Sequence, residues 1–372
     1  MTRRRRNSLL LLSLGLAVCL AVYWAFRPYR VVGESMEPSL VVGDWLRIRR
    51  ELPERDELVI FHEPDSGKLG VKRVVGMPGD RVQLLGGDVL LDGKVYQRPL
   101  HSVTDLVPLL DEVGKGAADR MHFEGDAMEV TADGWSLNGR GRAFLSTPPM
   151  GGYLLRGEPR TAVEPASDLG MEVEYQLNSS SSSLELILRK GQTTFTASLV
   201  GGGHQLMVQR QDGAGVEQEL LLRRELPRGE EDPDLAAHRH GTAFFTIANQ
   251  GLTVVLNGEV FLDHLPFEPV KPLSLTEVPA DFPQVEHAGI GGRGMVEIGR
   301  IRLGRDVLRQ SGGTFATGMG LQLADGQYFL LGDHPAASRD SRHYGAVSDD
   351  LIVGTVAARW WPKGWTLRGW AE

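Results

Sequence analysis

The sequence predicts a mainly β protein: an N-terminal transmembrane helix, then a β fold carrying the candidate chemistry, interrupted by an inserted β-sandwich. Three observations predict it. One long uncharged apolar run stands near the N-terminus. Short apolar runs, many alternating with period two and separated by Gly-containing turns, fill most of the 372 residues. The residues suited to chemistry fall into two blocks, one on each side of the β-rich middle.

Composition bounds the reading. The chain is 41% hydrophobic and 24% charged, as an ordinary globular protein is, so its long middle is expected to fold. Its length fits two domains plus an anchor. The net charge is −8, with no long basic block beyond the N-terminus, which argues against a nucleic-acid partner. The single cysteine, Cys19, lies in the apolar run. This excludes an intramolecular disulfide, a cysteine nucleophile in the remaining chain and a multi-cysteine zinc site.

Residues 1–30 read as a basic tail and an anchor. Arg3 to Arg6 are followed by the uncharged run Leu9 to Phe26. As a helix, about 18 residues span roughly 27 Å, close to the hydrocarbon thickness of a bilayer. Tyr23, Trp24 and Phe26 give it an aromatic end, and Arg27 and Arg30 follow. The arginine cluster predicts a cytoplasmic N-terminus, with everything after Phe26 on the outer face of the plasma (inner) membrane. A cleaved leader would have a shorter apolar region and small residues before the cut, where bulky aromatics stand here. Only about eight residues separate Phe26 from Ser35, and an extended segment of that length reaches at most about 28 Å.

Residues 31–100 read as short strands with tight turns. Trp45 to Ile48, Leu58 to Phe61, Val71 to Val75, Arg81 to Leu85 and Val89 to Leu91 are the strand candidates, and Asp92-Gly93 marks a hairpin. Lys72 is unusual in this setting because its neighbours suit a buried strand. It reads either as a lysine facing solvent or as a desolvated one whose pKa falls far enough to accept a serine proton. This strand alone leaves both open.

Residues 101–317 read as connecting segments and an inserted domain. A short helix is expected around Asp105 to Val113. Strands follow at Met171 to Leu177, Leu184 to Leu188, Thr193 to Leu199, Gln205 to Gln209, Glu219 to Leu222, Ala243 to Ile247 and Val296 to Leu303. Leu252 to Leu256, Asn257-Gly258 and Glu259 to Leu262 give a strong hairpin signal. So many short strands suggest a sandwich. His238-Arg239-His240 lacks a third ligand and reads as a solvated loop. Asn178 with the run Ser179 to Ser183 reads as a flexible turn, and Glu230 to Asp234 as a solvated loop. No loop of carboxylates has calcium-ligand spacing. No metal and no cofactor is expected.

Residues 318–372 return to the first type of sequence. The strand Gln327 to Leu331 leads into Gly332-Asp333-His334-Pro335-Ala336-Ala337-Ser338-Arg339-Asp340-Ser341-Arg342. Read alone, this is a polar turn braced by an Asp340–Arg342 ion pair. Val353 to Trp360 is a last strand, and Trp360, Trp361, Trp365 and Trp370 suit core packing or a lipid interface.

Three segments together resemble the type I signal peptidases, membrane-anchored Ser/Lys endopeptidases. Gly33-Glu34-Ser35-Met36-Glu37-Pro38-Ser39-Leu40 resembles their nucleophile box. Val71-Lys72-Arg73-Val74-Val75-Gly76-Met77-Pro78-Gly79-Asp80 resembles their lysine box, and Gly332 to Arg342 their final box. The resemblance implies a signal-peptidase-like β fold that removes leader peptides from exported preproteins beside the lipid bilayer, cutting after small residues. It implies Ser35 as nucleophile, Lys72 as general base, Ser338 as a hydrogen-bond partner orienting the lysine, and Asp340–Arg342 as a brace. Some members carry a serine where this chain has Gly33, so the oxyanion must rely on backbone N–H groups, including that of Ser35. His334 replaces the usual asparagine, and Arg55-Asp56-Glu57 stands where Arg-Gly-Asp is common. The middle is similar to concanavalin-like or laminin-G-like jelly rolls, which implies a glycan or protein ligand; a plain spacer is the alternative. Two other functions stay open: a self-cleaving Ser/Lys peptidase of the SOS-repressor kind, and a membrane-tethered binding protein whose peptidase part is degenerate.

Overall fold

The computed structural model describes residues 28–85, 88–98, 100, 106–125, 128–131, 133–146, 153–155, 158–160, 166, 168–213, 217–228, 236–267, 287–307, 313–316 and 318–360. The apolar run Leu9 to Phe26, the loop Glu230 to Asp234 and Trp361, Trp365 and Trp370 lie outside them. Among the described residues no helix is long and apolar enough to cross a membrane. The chain divides into two compact units. The first takes its described residues from Met1–Leu85, Val89–Gly93 and Gln310–Glu372, and the second from Gly86–Asp88 and Lys94–Arg309.

The first unit is built on a seven-stranded sheet. Its order is Tyr29–Arg30, Trp45–Arg49, Ile352–Trp360, Leu58–His62, Leu69–Gly76, Gln327–Leu331 and Val347–Ser348. Neighbours run antiparallel throughout. The strand Leu58–His62 is apolar on both faces because both are covered. Leu58 and Ile60 pack with Val31, Met36, Leu40 and Leu46 on one side. Val59 and Phe61 pack with Val74, Tyr328, Leu330 and Val347 on the other. Alternation along the strand sends its side chains to the two clusters in turn. Gly76 is required by packing: a Cβ there would lie 2.5 Å from Val82 Cγ2 and 2.8 Å from Phe329 Cβ.

The second unit contains a 13-stranded sheet, whose main path runs Glu219–Glu225, Gln205–Asp212, Thr193–Val200, Ser183–Lys190, Ala288–Arg305, Leu169–Leu177, His240–Ala248, Gly251–Leu256 and Glu259–Pro266. The sheet folds back on itself, since strands at its two ends meet. Arg224 Nη1 donates to the Phe261 carbonyl at 2.8 Å. The Phe195 and Phe267 rings lie 4.7 Å apart. One core is enclosed, drawing Leu188, Phe195, Phe245, Leu252 and Ile301 from five strands of the path. The anticipated hairpin is formed, with Asn257 at φ 53° and Gly258 at φ 81°.

Two expectations are corrected. Val107–Val113 is a strand, and a short helix follows only at Gly114–Ala118. The segment pairs with Ala288–Arg305, from Val107↔Arg305 to Val113↔Arg300, and that ladder outweighs local helix preference. His238 is buried, not solvated. Its ring stacks edge-on against Phe261 at 4.9 Å, and its carbonyl accepts from the Tyr175 hydroxyl at 2.7 Å.

Candidate active site

Ser35 lies in a turn held from below by its neighbours. Glu37 N donates to Glu34 O at 3.0 Å and Leu40 N to Met36 O at 2.9 Å. Met36 and Leu40 are buried in the apolar cluster beneath. Sinking each side chain contributes about 1.5–3 kcal/mol, which fixes the half-buried Ser35 above them. The turn is also tied to the far end of the chain: His334 N donates to the Ser35 carbonyl at 3.0 Å. His334 Nδ1 lies 3.3 Å from the Glu34 carbonyl.

Lys72 stands opposite Val59 in the antiparallel ladder, so it shares the face that carries Val59 and Phe61. It is only 4% exposed. Its Nζ lies 2.6 Å from Ser35 Oγ and donates to the Val71 carbonyl at 3.0 Å. Burial pushes its pKa below the usual 10.5; Asp340, Glu63 and Asp333 oppose that shift, and Arg342 adds to it.

The remaining predicted residues form one buried cluster. Arg342 Nε and Nη2 donate to Asp340 Oδ1 and Oδ2 at 2.8 and 2.9 Å. Asp340 also accepts from Gly332 N at 3.0 Å and from Arg342 N at 3.2 Å. Burial by itself would raise the Asp340 pKa, but the Arg342 hydrogen bonds and charge, with the Gly332 and Ser338 donors, hold it below the usual 3.8. The Ser338 hydroxyl donates to Asp340 Oδ2 at 2.7 Å, and no hydrogen bond joins it to Lys72 among the described residues. Ser338 therefore spends its one proton on the brace. Gly332 is where the two halves meet. A Cβ there would stand 2.2 Å from Ser338 Oγ and 2.6 Å from Ser35 O.

Two further pairs escaped sequence reading. Arg73, on the opposite face of the strand from Lys72, grips Asp333 with Nε and Nη2 at 2.9 and 2.5 Å, and donates to Asp56 O at 2.7 Å. Arg55 holds Asp80 at 2.9 Å and the Val75 carbonyl at 2.6 Å, while Asp80 accepts from Met77 N at 2.6 Å. A signal for the first existed: two adjacent charges in a buried strand point to opposite faces, so each needs its own partner. At the Gly33 position no atom of the described residues lies within 4 Å of an added Cβ. Among the described residues no group of His, Cys, Asp or Glu could hold a metal ion.

The arrangement can transfer a proton from a serine hydroxyl to a buried amine and so support acyl transfer. Comparison with known proteins agrees with that chemistry. The chain matches the family described as signal peptidase, peptidase S26, over residues 4–136 and 303–361. It is 31% identical over 175 residues to signal peptidase I of Streptococcus pneumoniae, covering 44% of this chain and 81% of that one. A solved signal peptidase I from Enterococcus faecalis covers 83% of this chain and 99% of its own at 10% identity and a TM-score of 0.24. A carbohydrate-binding module from Bacillus subtilis covers 50% of this chain and 92% of its own, at 10% identity and a TM-score of 0.28.

Proposed function

Because the chain belongs to the signal peptidase family, peptidase S26, and is therefore a serine endopeptidase that removes signal peptides, we propose that Ser35 is its nucleophile and Lys72 its general base. One observation carries this assignment: a 4%-exposed lysine places Nζ 2.6 Å from a serine Oγ. Neutral Lys72 takes the Ser35 proton as Oγ attacks the scissile carbonyl. The tetrahedral intermediate collapses to an acyl-enzyme, and the proton passes to the leaving amine. A water molecule, deprotonated by the same amine, then releases the cleaved leader. The Ser35 N–H serves as an oxyanion donor.

Substrate docking follows from the sheet. The strand Leu69–Gly76 pairs with Gln327–Leu331 only through Arg73, Val74 and Gly76. On that side Leu69–Lys72 has no partner strand among the described residues. An extended preprotein segment adds to this edge by main-chain hydrogen bonds, bringing its scissile bond to Ser35. Asp340–Arg342 and Arg73–Asp333 act as braces, and Ser338 acts on the dyad through Asp340. The run Leu9 to Phe26 serves as a single-pass anchor, with the enzyme on the outer membrane face. The inserted unit is a recognition or spacing module, with a glycan or a protein as the ligand class it would take.

The test is cleavage of a purified preprotein by the full chain and by Ser35→Ala and Lys72→Ala. Both variants lose cleavage while keeping the parent's circular dichroism. Parental rates in either would overturn the assignment.

A further inference from the structure

We propose that Glu63 is a positioning residue for the Ser35–Lys72 pair: its carboxylate, laid back along the sheet face that carries Lys72, stabilises the lysine ammonium and thereby sets the lowest pH at which the enzyme works. The inference rests on Lys72 being the base and adds to that reading a residue outside all three sequence boxes.

The geometry begins with the pairing of Leu58–His62 and Leu69–Gly76. Val59 stands opposite Lys72 and Phe61 opposite Gly70. Alternation puts Val59, Phe61 and Glu63 on the face that carries Lys72 and Gly70. Gly70 has no side chain, and that vacancy is used. The Phe61 ring lies 3.1 Å from where a Gly70 Cβ would be, and Glu63 Cγ lies 3.6 Å from the same point. Glu63 thus folds back from the strand end to within one same-face step of Lys72. It is held there locally: Ser66 Oγ donates to Glu63 Oε2 at 2.6 Å, Glu63 N donates to Lys68 O at 2.8 Å, and Gly67 N donates to Glu63 O at 2.9 Å. Phe61 is fully buried, and Tyr344 packs 6.3 Å from it, so apolar rings flank the approach.

Four charged groups act on Lys72 from the surrounding elements: Asp340, Asp333 and Arg342 from the segment after Leu331, and Glu63 from just beyond the end of the strand Leu58–His62. Asp340 is paired with Arg342, and Asp333 with Arg73. Each carboxylate is thereby largely balanced by a guanidinium. Glu63 makes no ion pair among the described residues. Lys68, opposite it across the hairpin, shares its face without forming an ion pair to it. Glu63 thus lacks the paired guanidinium that the other two carboxylates have, and its charge opposes the burial that drives Lys72 towards the neutral amine. Tyr344, whose buried hydroxyl has no hydrogen-bond partner among the described residues, also lies within reach of the Glu63 charge.

The test is the pH dependence of kcat/KM for preprotein cleavage by the full chain, whose acid limb reports the free enzyme's base. Glu63→Gln is expected to move that limb to lower pH by about half to one unit, the size expected of one charge acting across roughly one same-face strand step in a partly solvated site. Glu63→Lys moves it further the same way, Glu63→Asp leaves it near the parent, and the alkaline plateau stays within about twofold in all three. Limbs unmoved in both Gln and Lys variants, with Lys72→Ala inactive, would overturn the role of Glu63 alone. Activity retained in Lys72→Ala would overturn the base assignment and this inference with it.

Discussion

Ser35 and Ser338 press on the same residue: a methyl group added to Gly332 would stand 2.6 Å from the Ser35 carbonyl oxygen and 2.2 Å from the Ser338 hydroxyl oxygen. The Ser35 turn and the final polar turn therefore share one point of contact. Gly332→Ala should destabilise the protein by about 1–3 kcal/mol, as overpacking does. It should lower kcat/KM about 100-fold, because an ångström of misplacement at a nucleophile has that effect. Thermal melting and cleavage kinetics check both, and a parent-like rate would show that the contact relaxes without disturbing Ser35.

Arg342 neutralises a carboxylate that is fully buried, Asp340. Arg342→Met leaves that charge unpaired and should cost about 3–5 kcal/mol, measured by denaturant unfolding. The same pair predicts acid sensitivity. Asp340 is held below its ordinary 3.8, so its stabilisation is complete above that value and is lost as pH falls through the depressed folded-state pKa. In Asp340→Asn, the part of acid unfolding below about pH 4 should flatten.

Lys72 carries the opposite sign. Its pKa is lowered by burial, so between the depressed value and 10.5 the folded state binds fewer protons than the unfolded chain. Stability contributed by this residue therefore rises with pH through that window, and at lower pH the buried ammonium opposes folding. Lys72→Met should raise the melting temperature at neutral and acid pH while abolishing cleavage. A lower melting temperature would mean that the contacts of Nζ with Ser35 and Val71 outweigh the desolvation.

Among the described residues nothing lies within 4 Å of a Cβ added at Gly33. Gly33→Ser should fold as the parent does and place a second donor near the backbone N–H of Ser35. We expect kcat to rise about tenfold, a modest part of what one oxyanion donor contributes elsewhere. An unchanged kcat would show that backbone donors already saturate the oxyanion.

The inserted unit enters and leaves at neighbouring points, since Arg98 pairs with Asp306. Replacing residues 94–309 with a short Gly/Ser linker should leave a folded β unit that still cleaves a preprotein. Loss of the near-ultraviolet dichroism of the remaining unit would show that the insertion is needed for its folding.

Much of this protein is legible locally. Period-two alternation and Gly-containing turns marked most strands, because both are properties of a few consecutive residues. Ser35, Lys72 and the Asp340–Arg342 pair were named from short boxes whose residue types carry their own chemistry. What the sequence left undecided is burial and partner choice. Whether Lys72 faces solvent or core depends on its pairing with Val59 and on Tyr328 and Leu330, some 256 or more positions away. That Ser338 donates to Asp340 depends on competition for one proton. Arg73 meets Asp333 across 260 positions, and no local pattern carries such a contact. Val107–Val113 became a strand only because Ala288–Arg305 offered it a ladder. Local periodicity determines the elements and the candidate chemistry. Register between distant strands, and the desolvation that follows from it, determines which of those residues meet and which are charged.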